Sequence, residues 1–334
     1  MKELPEISII IPCRNEENYL ADCLESVIGS GYPKEKMEIL VYDGNSTDQT
    51  KQIASEYALK FPYIHVFENS HKTVPYAMNA GIKAAKGEYI VRLDAHSKYP
   101  VDYFEKLINW SVKLKADNVG AVWITDVKNK NRKTLSIRSV LTSAVGVGNA
   151  FFRTGNSEVK EVDTVPFGCY HKSVFEKYGG YNNRLTRNQD IELNKRIKNN
   201  GGKIYLIPDI NCTYFARETF KGIAHNNYRN GHWNVLTVYI TKTFKSLSFR
   251  HFIPLALILS LIVPAVLAIV WHPYFIGFSL AAMILYQAFI IIASLRLKSQ
   301  ENSFIYLWWC FIILHFSYGL GSLTGIFRFG KLIS

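Results

Sequence analysis

Asp94 and His96 are the first candidates for chemistry in this sequence, because they stand at the end of an extended strand-like run, residues 88–93. Alternate residues of a strand share a face, so the carboxylate and the imidazole can converge on one ion. A divalent cation held there could act as a Lewis acid on a leaving diphosphate. Imidazole suits softer ions than Mg²⁺, so Mn²⁺ is expected to serve better if His96 is a ligand. The alternative is a polar turn after a buried strand.

Asp43 and Asp190 are two further carboxylates at the ends of predicted elements. Asp43 follows the strand-like run 39–42 and precedes Gly44, which permits a tight turn. Its carboxylate could accept a hydrogen bond from a nucleotide base or a ribose, or residues 43–48 could be only a turn that caps the next helix. Asp190 begins a helix, where it either favours the positive N-terminus or acts as a general base towards a hydroxyl. The spacing leaves both alternatives open.

A third candidate cluster, residues 226–233, combines an arginine, an imidazole and an indole. Arg229 could hold a phosphate, and Trp233, next to His232, could stack on a sugar. The alternative is a membrane-proximal helix with ordinary interfacial aromatic residues.

The elements that must position these residues alternate between strand and helix patterns over the first 130 residues. Residues 7–11 form a continuous apolar run, typical of a parallel strand covered on both faces. Helical spacing follows at residues 20–28. Repeated βαβ units predict an α/β, Rossmann-like fold, with a mostly parallel sheet and helices on both faces. Residues 119–124 are expected to complete the parallel series.

The carboxyl ends of such strands line the crevice where open α/β sheets bind ligands, and Asp43 and Asp94 are predicted there. From residue 126 to about residue 163 the pattern weakens. A polar surface loop is predicted at residues 128–133. The glycine-rich stretch at 140–148 is too short to span a membrane; it could be a mobile segment or one that touches lipid.

Three long apolar stretches lie at about residues 252–271, 274–295 and 304–327. Each approaches or exceeds the roughly 20 residues that cross a bilayer core, and none contains Lys, Arg, Asp or Glu. We therefore predict a multi-pass membrane region, residues 241–334, after a domain of residues 1–240. The early apolar run is too short for a signal peptide, so we expect this domain in the cytoplasm.

Basic residues next to these stretches bear on orientation. Those flanking the first two stretches follow the positive-inside rule; they are Lys242, Lys245, Arg250, Arg296 and Lys298. Arg328 and Lys331 would lie on the opposite side if the third stretch also crossed. The third stretch contains four small residues at 319–325 and could pack tightly or re-enter instead, so its topology is left open.

The overall charge and the cysteines limit the classes of partner. A formal net charge of +12 suits an anionic membrane surface and phosphate-bearing ligands. The basic residues do not form a stripe with regularly placed aromatic residues, so no nucleic-acid partner is expected. The five cysteines are scattered and lack a CxxC pair, which indicates a reducing compartment and no cysteine-based metal site.

In this order, the motifs resemble those of glycosyltransferase family 2, the inverting enzymes with a GT-A fold. The resemblance covers about residues 7–240. The segments that carry it are residues 9–16 (IIIPCRNE), 43–48 (DGNSTD), 79–81 (NAG), 85–87 (AKG), 94–96 (DAH), 167–168 (FG), 173–175 (SVF), 178–181 (YGGY) and 188–190 (NQD). Within this family the motifs resemble those of membrane-anchored transferases of succinoglycan-type exopolysaccharide assembly.

The resemblance implies a role for each matching residue. Asp43 contacts the nucleotide base, Asp94 contacts the ribose or the metal, and Asp190 is the catalytic base. His96 stands where the family usually has a second metal carboxylate. The further donor-binding residues implied are Pro12, Arg14, Glu16 and Asn79, and those on the acceptor or phosphate side are Gly168, Gln189, Arg229, His232 and Trp233.

Three positions depart from the family pattern. His96 replaces an acid, which leaves the metal's identity in doubt, and Gln189 stands where an acid is common. Residues 226–233 match the QxxRW pattern of processive enzymes only loosely, since Asn226 occupies its first position. A single-addition transferase is therefore favoured over a polymerising synthase.

The resemblance thus predicts an inverting, metal-dependent hexosyltransferase with Mn²⁺ or Mg²⁺ as cofactor. Its donor would be a nucleotide sugar, expected to be a UDP-hexose, and its acceptor a hydroxyl of a lipid-linked saccharide in glycan assembly. Two alternatives stay open. One is a polyprenyl-phosphate glycosyltransferase, whose acceptor needs no strong base, and the other is a catalytically inactive membrane protein that binds a nucleotide sugar.

Overall fold

The computed structural model describes residues 3–148, 151–154, 158–244, 247 and 249–327. They form two compact units. The first comprises Met1–Ile124 and Gly155–Phe215, and the second comprises Thr125–Thr154 and Ala216–Ser334. The predicted division at residue 240 stays a prediction. Lys245, Arg328 and Lys331, which entered the orientation argument, lie outside the described residues.

Strands and helices alternate through the first unit. The strands of the described chain are β1 (Ile7–Cys13), β2 (Met37–Asp43), β3 (Ile64–Glu68), β4 (Tyr89–Arg92), β5 (Ser97–Lys98), β6 (Asn118–Asp126), β7 (Lys160–Glu161), β8 (Cys169–His171) and β9 (Ile204–Phe215). The helices are α1 (Leu20–Ile28), α2 (Thr50–Lys60), α3 (Val74–Ala84), α4 (Tyr103–Leu114), α5 (Arg132–Leu141), α6 (Ala144–Val147), α7 (Phe151–Thr154), α8 (Ser173–Tyr178), α9 (Gln189–Asn199), α10 (Phe220–Thr241), α11 (Ile253–Val270), α12 (Ile276–Leu297) and α13 (Phe304–Phe327).

The sheet is mixed, with the order β3-β2-β1-β4-β8-β6-β9-β5 and with β7 paired to β9. The first four strands are parallel, as predicted. The expected parallel neighbour of β4 was residues 119–124, now β6, but β8 lies between the two and pairs antiparallel with both. Strands β4 and β6 still run in the same direction, as predicted, but β8 is inserted between them. The predicted α/β fold is confirmed.

The core of the first unit explains the apolar run at the start of the chain. The isoleucines of β1 at positions 7, 9, 10 and 11 are at most 1% exposed, because neighbouring strands and helices cover both faces of the sheet. Helix α3 lies very close to β1. A Cβ built on Gly81 would stand 2.8 Å from Ile10 Cδ1. The glycine at 81 is therefore explained by close packing of a helix on the sheet.

The second unit is helical. The region after residue 126, where the sequence pattern weakens, contains helices α5 and α6. Helix α5 begins at Arg132, inside the predicted polar loop. Three helices are long and apolar enough to cross a membrane, namely Phe249–Val270, Pro273–Leu297 and Phe304–Phe327. The third is much more buried within the protein than the first two, because it packs against α10.

Helices α10 and α13 meet backbone to backbone. A Cβ on Gly231 would stand 1.9 Å from Tyr318 O, and a Cβ on Gly321 would stand 2.0 Å from Tyr228 O. The small residues predicted to allow tight packing in the third apolar stretch do pack tightly: Gly321, Ser322 and Gly325 pack against the polar helix α10, and Gly319 packs against Pro254 at the start of α11.

Candidate functional site

The predicted carboxylates of the first unit stand at one edge of its sheet. Asp43 ends β2, and Asp94 follows β4, with β1 between these two strands. Asp190 lies in the first turn of α9, and its Oδ1 accepts a hydrogen bond from Ile191 N at 2.9 Å. Parallel strands present their carboxyl ends together, which is why residues distant in sequence meet here.

Arg92 joins two of these carboxylates. Its Nη2 lies 3.4 Å from Asp94 Oδ1, and its Nη1 lies 3.7 Å from Asp190 Oδ2. The arginine side chain is only 6% exposed, whereas the carboxylates are 24% and 28% exposed. Burial opposes the charge on Arg92, but Asp94 and Asp190 outweigh it and raise the pKa of the guanidinium. A permanent buried cation therefore holds the two accessible acids side by side.

Sequence reasoning missed Arg92. It lies in the predicted strand before Asp94. The signal was present in the sequence, because a charged residue in a strand buried on both faces needs charged partners.

Glu16 contacts His96. Its Oε1 lies 3.3 Å from His96 Nδ1, and both side chains are about one-fifth to one-quarter exposed, at 21% and 24%. The rings of Tyr19 and Tyr214 pack edge-on against the imidazole, with centroid distances of 6.3 and 5.1 Å. These contacts fix the orientation of the His96 ring.

The pKa of His96 is raised to about 10. Burial acts in the opposite direction, but the hydrogen bond to Glu16 and the nearby Tyr214 and Asp94 outweigh it. A metal ion needs an unprotonated ring nitrogen, so a metal bound at His96 competes with a proton.

The loop after β1 is joined to the loop after β2. Asn15 N donates to Ser46 Oγ at 3.0 Å, and Thr47 N donates to Asn15 Oδ1 at 2.9 Å. Asp43 is 1% exposed, and its carboxylate accepts hydrogen bonds from Ser46 Oγ and N at 2.5 and 3.1 Å. The N-cap residue of α2 is Gln49, whose side chain makes no capping hydrogen bond. In the turn before it, Asp48 accepts a hydrogen bond from Thr50 N at 3.0 Å.

The other donor-side residues occupy different positions around this edge. Pro12 is in β1, and the exposed Arg14 runs beside Gly44, whose built Cβ would stand 3.2 Å from Arg14 Cβ. Asn79 is hydrogen-bonded to the segment that follows α8. Its Oδ1 accepts from Tyr181 N, and its Nδ2 donates to Tyr181 O, both at 2.8 Å. The donor-binding roles of these residues, and those of Glu16 and Asp43, stay predictions.

Two of the predicted acceptor-side residues lie near Arg92 and Asp190. Gly168 has φ +101°, and its carbonyl accepts a hydrogen bond from Arg92 N at 3.0 Å. Gln189 precedes Asp190 at the start of α9 and is buried. Arg229, His232 and Trp233 lie instead on α10 in the second unit, where His232 Nδ1 is 3.3 Å from Thr324 Oγ1.

Comparison with known proteins decides the family. The sequence profile described as Glycosyl transferase family 2 matches residues 8–179, just over half of the chain. The chain belongs to this family.

Relatives of this family 2 member include two proteins with described roles. It is 28% identical over 249 residues to the dolichyl N-acetyl-alpha-D-glucosaminyl phosphate 3-beta-D-2,3-diacetamido-2,3-dideoxy-beta-D-glucuronosyltransferase of Methanococcus voltae, covering 70% of this chain and 77% of that protein. It is also 28% identical over 211 residues to the succinoglycan biosynthesis protein ExoA of Rhizobium meliloti, covering 63% of each.

Solved structures share the fold. The mannosyltransferase PcManGT from Pyrobaculum calidifontis, in complex with GDP-Man and Mn²⁺, has a TM-score of 0.62 at 18% identity, covering 98% of this chain and 88% of that one. Residues 1–349 of S. aureus TarS, in complex with UDP-GlcNAc, have a TM-score of 0.53 at 16% identity, covering 97% and 92%. At these identities the likeness establishes the GT-A fold alone.

The residues of this glycosyltransferase fit a divalent metal held jointly with substrate. The described residues contain no group of three or more His, Cys, Asp or Glu side chains that could hold a metal ion. Asp94 and His96 can supply two donors. Ions that bind diphosphates keep several waters and use one or two protein ligands together with the phosphates. The pair therefore suits an ion that arrives with a nucleotide.

Proposed function

We propose that this family 2 glycosyltransferase is inverting and moves a sugar, expected to be a hexose, from a nucleotide-diphosphate donor to a hydroxyl of a lipid-linked saccharide. A UDP-sugar is the donor that we expect. The observation that carries the proposal is the position of Arg92 between Asp94 and Asp190. It keeps the carboxylate expected at the donor and the carboxylate expected at the acceptor on one guanidinium group, close enough to act on one donor–acceptor pair.

In the reaction that we propose, Asp190 accepts the proton of the acceptor hydroxyl. The freed oxygen attacks the anomeric carbon on the side opposite the diphosphate, the bond to the diphosphate breaks, and the configuration inverts. Arg92 fixes Asp190 against Asp94, so that base and donor are oriented before the chemical step. Asp94 and His96 would hold Mn²⁺ or Mg²⁺, which supplies Lewis-acid stabilisation of the leaving diphosphate.

Two observations support a lipid-linked acceptor. The name of the Methanococcus relative describes transfer involving a dolichyl-phosphate-linked sugar. In addition, the described part of this chain contains three helices that are long and apolar enough to cross a membrane. A transferase anchored in the bilayer would meet acceptors that are themselves held in the bilayer. The same helices support membrane localisation. The basic residues that flank the first two apolar stretches favour a cytoplasmic first unit by the positive-inside rule.

The proposal is tested with the full-length protein in lipid vesicles, a panel of radiolabelled nucleotide sugars, and either Mn²⁺ or Mg²⁺. Polyprenyl-diphosphate-linked saccharide and bare polyprenyl phosphate are offered as separate acceptors. We expect label on the saccharide. Transfer to bare polyprenyl phosphate alone would favour the polyprenyl-phosphate transferase, and neither transfer nor donor hydrolysis would favour a binding protein without catalysis.

Asp190→Asn tests the assignment of the base. We expect the variant to bind the donor as the wild type does and to lose transfer by about 1000-fold, within the range that loss of general base catalysis costs. Asp209→Asn is the matched control, because Asp209 is an exposed carboxylate on β9. Full turnover by Asp190→Asn would remove Asp190 from the mechanism.

A further inference from the structure

We propose that two buried phenols, Tyr170 and Tyr181, are positioning residues for the transfer reaction. They hold the guanidinium group of Arg92 and so keep it from closing a tight ion pair with Asp190. The inference rests on the proposed function, because that function makes Asp190 the base. All the residues that carry it belong to the first unit.

Tyr170 is directed to Arg92 by the pairing of β4 with β8. In this antiparallel pair Ile90 lies opposite Tyr170, and alternate residues of a strand share a face. Tyr170 and Arg92 are therefore diagonal neighbours on one face, within reach of each other's long side chains. Gly168 leaves room for the phenol, since a Cβ built on it would stand 2.8 Å from Tyr170 Cζ.

Tyr181 follows α8 and is held by its main chain. Both Tyr181 N and Tyr181 O are hydrogen-bonded to Asn79 of α3. A Cβ built on Gly180 would stand 2.4 Å from Asn79 Oδ1, so only glycine fits before Tyr181. Arg196 Nη2 donates to Gly180 O at 2.8 Å, and Arg196 lies on α9, whose first turn carries Asp190. The backbone of this segment is thus fixed to both α3 and α9.

Both phenol rings pack against Phe175 of α8. The ring centroids of Tyr170 and Phe175 are 5.1 Å apart, and those of Tyr181 and Phe175 are 6.4 Å apart. Tyr170 is 0% exposed and Tyr181 is 3% exposed. Rings that are packed in this way have little freedom to turn, so their hydroxyl groups keep their positions.

The charged and titratable side chains that act on Arg92 are Asp94, Asp190, Tyr181 and Tyr170. Burial raises the pKa of both phenols, so their hydroxyl groups stay protonated and neutral. A neutral hydroxyl can accept a hydrogen bond from a guanidinium N–H without cancelling the positive charge. The phenols can therefore orient Arg92 and leave its charge to the carboxylates.

The donors and acceptors of this cluster match in number but are not yet paired. Nε and Nη1 of Arg92 and the hydroxyl groups of Tyr170 and Tyr181 are buried and, among the described residues, make no hydrogen bond. Buried polar groups cost free energy until they are paired. Hydrogen bonds at catalytic groups are often long without substrate and tighten in the substrate complex. We expect the phenols to accept from these two N–H groups when substrate binds.

The competing partner of Arg92 Nη1 is Asp190 Oδ2, which lies 3.7 Å away and thus beyond hydrogen-bond distance. A carboxylate in direct contact with an arginine holds a proton less readily. It is then a weaker base towards a hydroxyl. By occupying Nη1, the phenols keep Asp190 both in place and basic.

Tyr181→Phe tests this role, because it removes the hydroxyl group and keeps the ring. The assay is transfer by the full-length protein in lipid vesicles, measured across pH. We expect the acid limb of the kcat profile to move to lower pH by about one unit, and kcat on the plateau to fall several-fold with KM for the donor unchanged. Tyr170→Phe is a second variant, expected to move the limb in the same direction.

Tyr178→Phe is the matched control. Tyr178 lies in the same segment, and its hydroxyl is also buried without a hydrogen bond among the described residues. It is not among the groups that act on Arg92. We expect the pH profile of this variant to equal that of the wild type, and the melting temperatures of all three Phe variants in detergent to show that they are folded.

The effect of Tyr181 should require Arg92. In an Arg92→Met background, adding Tyr181→Phe should move the acid limb no further, because no guanidinium group is left to release. An unmoved limb in Tyr181→Phe, or an equal shift with and without Arg92, would overturn the role of Tyr181 and leave the proposed function standing. A wild type that neither transfers nor hydrolyses any donor would overturn the proposed function, and the positioning role with it.

Discussion

The two units stabilise their buried polar groups in opposite ways. In the first unit, full charges neutralise one another, as Arg92 does with Asp94 and Asp190. In the second unit, buried contacts between helices include hydrogen bonds made by hydroxyl groups, as between His232 and Thr324 or between Tyr286 and His315. Charged groups are costly to bury but interact strongly with a charged substrate, whereas neutral hydrogen bonds suit an apolar medium. We therefore expect changes in the first region to alter catalysis and changes in the second to alter stability.

Among the changes that test this contrast between the units, Arg92→Met should produce the largest effect. Removing the guanidinium leaves Asp94 and Asp190 free to move apart, and misplacement of a reacting group by about 1 Å costs about 100-fold in rate. We expect kcat to fall by about this factor, with Arg92→Lys intermediate because an ammonium cannot hold both acids in a fork geometry. Steady-state transfer kinetics with donor and acceptor varied separately provide the measurement.

Lys98→Met is the control for Arg92→Met, since Lys98 forms an ion pair with Asp22 in which both side chains are over 40% exposed. If Arg92→Met lowered the melting temperature and left kcat unchanged, Arg92 would be a structural residue and the contrast between the units would fail.

Gly231→Ala should have the next largest effect, on stability. The added Cβ would meet Tyr318 O and Ser322 N, which are backbone atoms that cannot rotate away. Overpacking of this kind costs about 2 kcal/mol. We expect a lower melting temperature in detergent with transfer retained by the folded fraction. Gly277→Ala is matched to it, because nothing lies within 4 Å of the Cβ at that helical glycine; equal melting temperatures for the two variants would refute the close contact of α10 with α13.

His96→Asp should change metal preference more than overall activity. A second carboxylate favours Mg²⁺, whereas imidazole favours softer ions. We expect the ratio of activity in Mn²⁺ to activity in Mg²⁺ to fall several-fold, and Mn²⁺ binding followed by electron paramagnetic resonance to strengthen, because a carboxylate replaces a ring that competes for a proton. An unchanged ratio together with unchanged Mn²⁺ binding would exclude His96 as a ligand.

Glu16→Gln should have the smallest effect, on the pH dependence of stability. The pKa of folded His96 is about 10, against 6.5 when unfolded. The contribution of His96 to the free energy of unfolding is therefore fully present below pH 6.5 and is lost as the pH rises through 10. Without the Glu16 carboxylate this decline should become shallower. Urea unfolding in EDTA at pH 6.5 and pH 10 measures how much unfolding free energy is lost between these two pH values. An equal loss in the variant and the wild type would contradict the ion pair.

The predictions that the structure confirmed came from regular patterns of apolar residues in the sequence. The parallel strands β1 to β4 follow from continuous apolar runs, and the positions of Asp43 and Asp94 follow from where those runs end. The three apolar helices follow from length and composition. Strand β8 could not be predicted in the same way, because three residues are too few to show a period.

The missed features depend on partners from elsewhere in the chain. Nothing near Arg92 in the sequence indicates that Asp190 will lie beside it, and Glu16 meets His96 only because β1 and β4 are adjacent. Helix α5 was predictable in part: Asn131 and Thr134 form a capping box, and apolar residues recur at 137, 140 and 141. The many lysines and asparagines of residues 128–133 obscured its start.

Because α5 and α6 lie between β6 and β8 in the chain yet pack on α13, no single cut separates a water-soluble enzyme from its anchor. A protein shortened at residue 240 would keep residues 132–148 and lose Ser303 and His315, which hold them. We expect this shortened protein to aggregate. A soluble protein would require replacing residues 132–148 with a short linker as well as deleting the residues after 240.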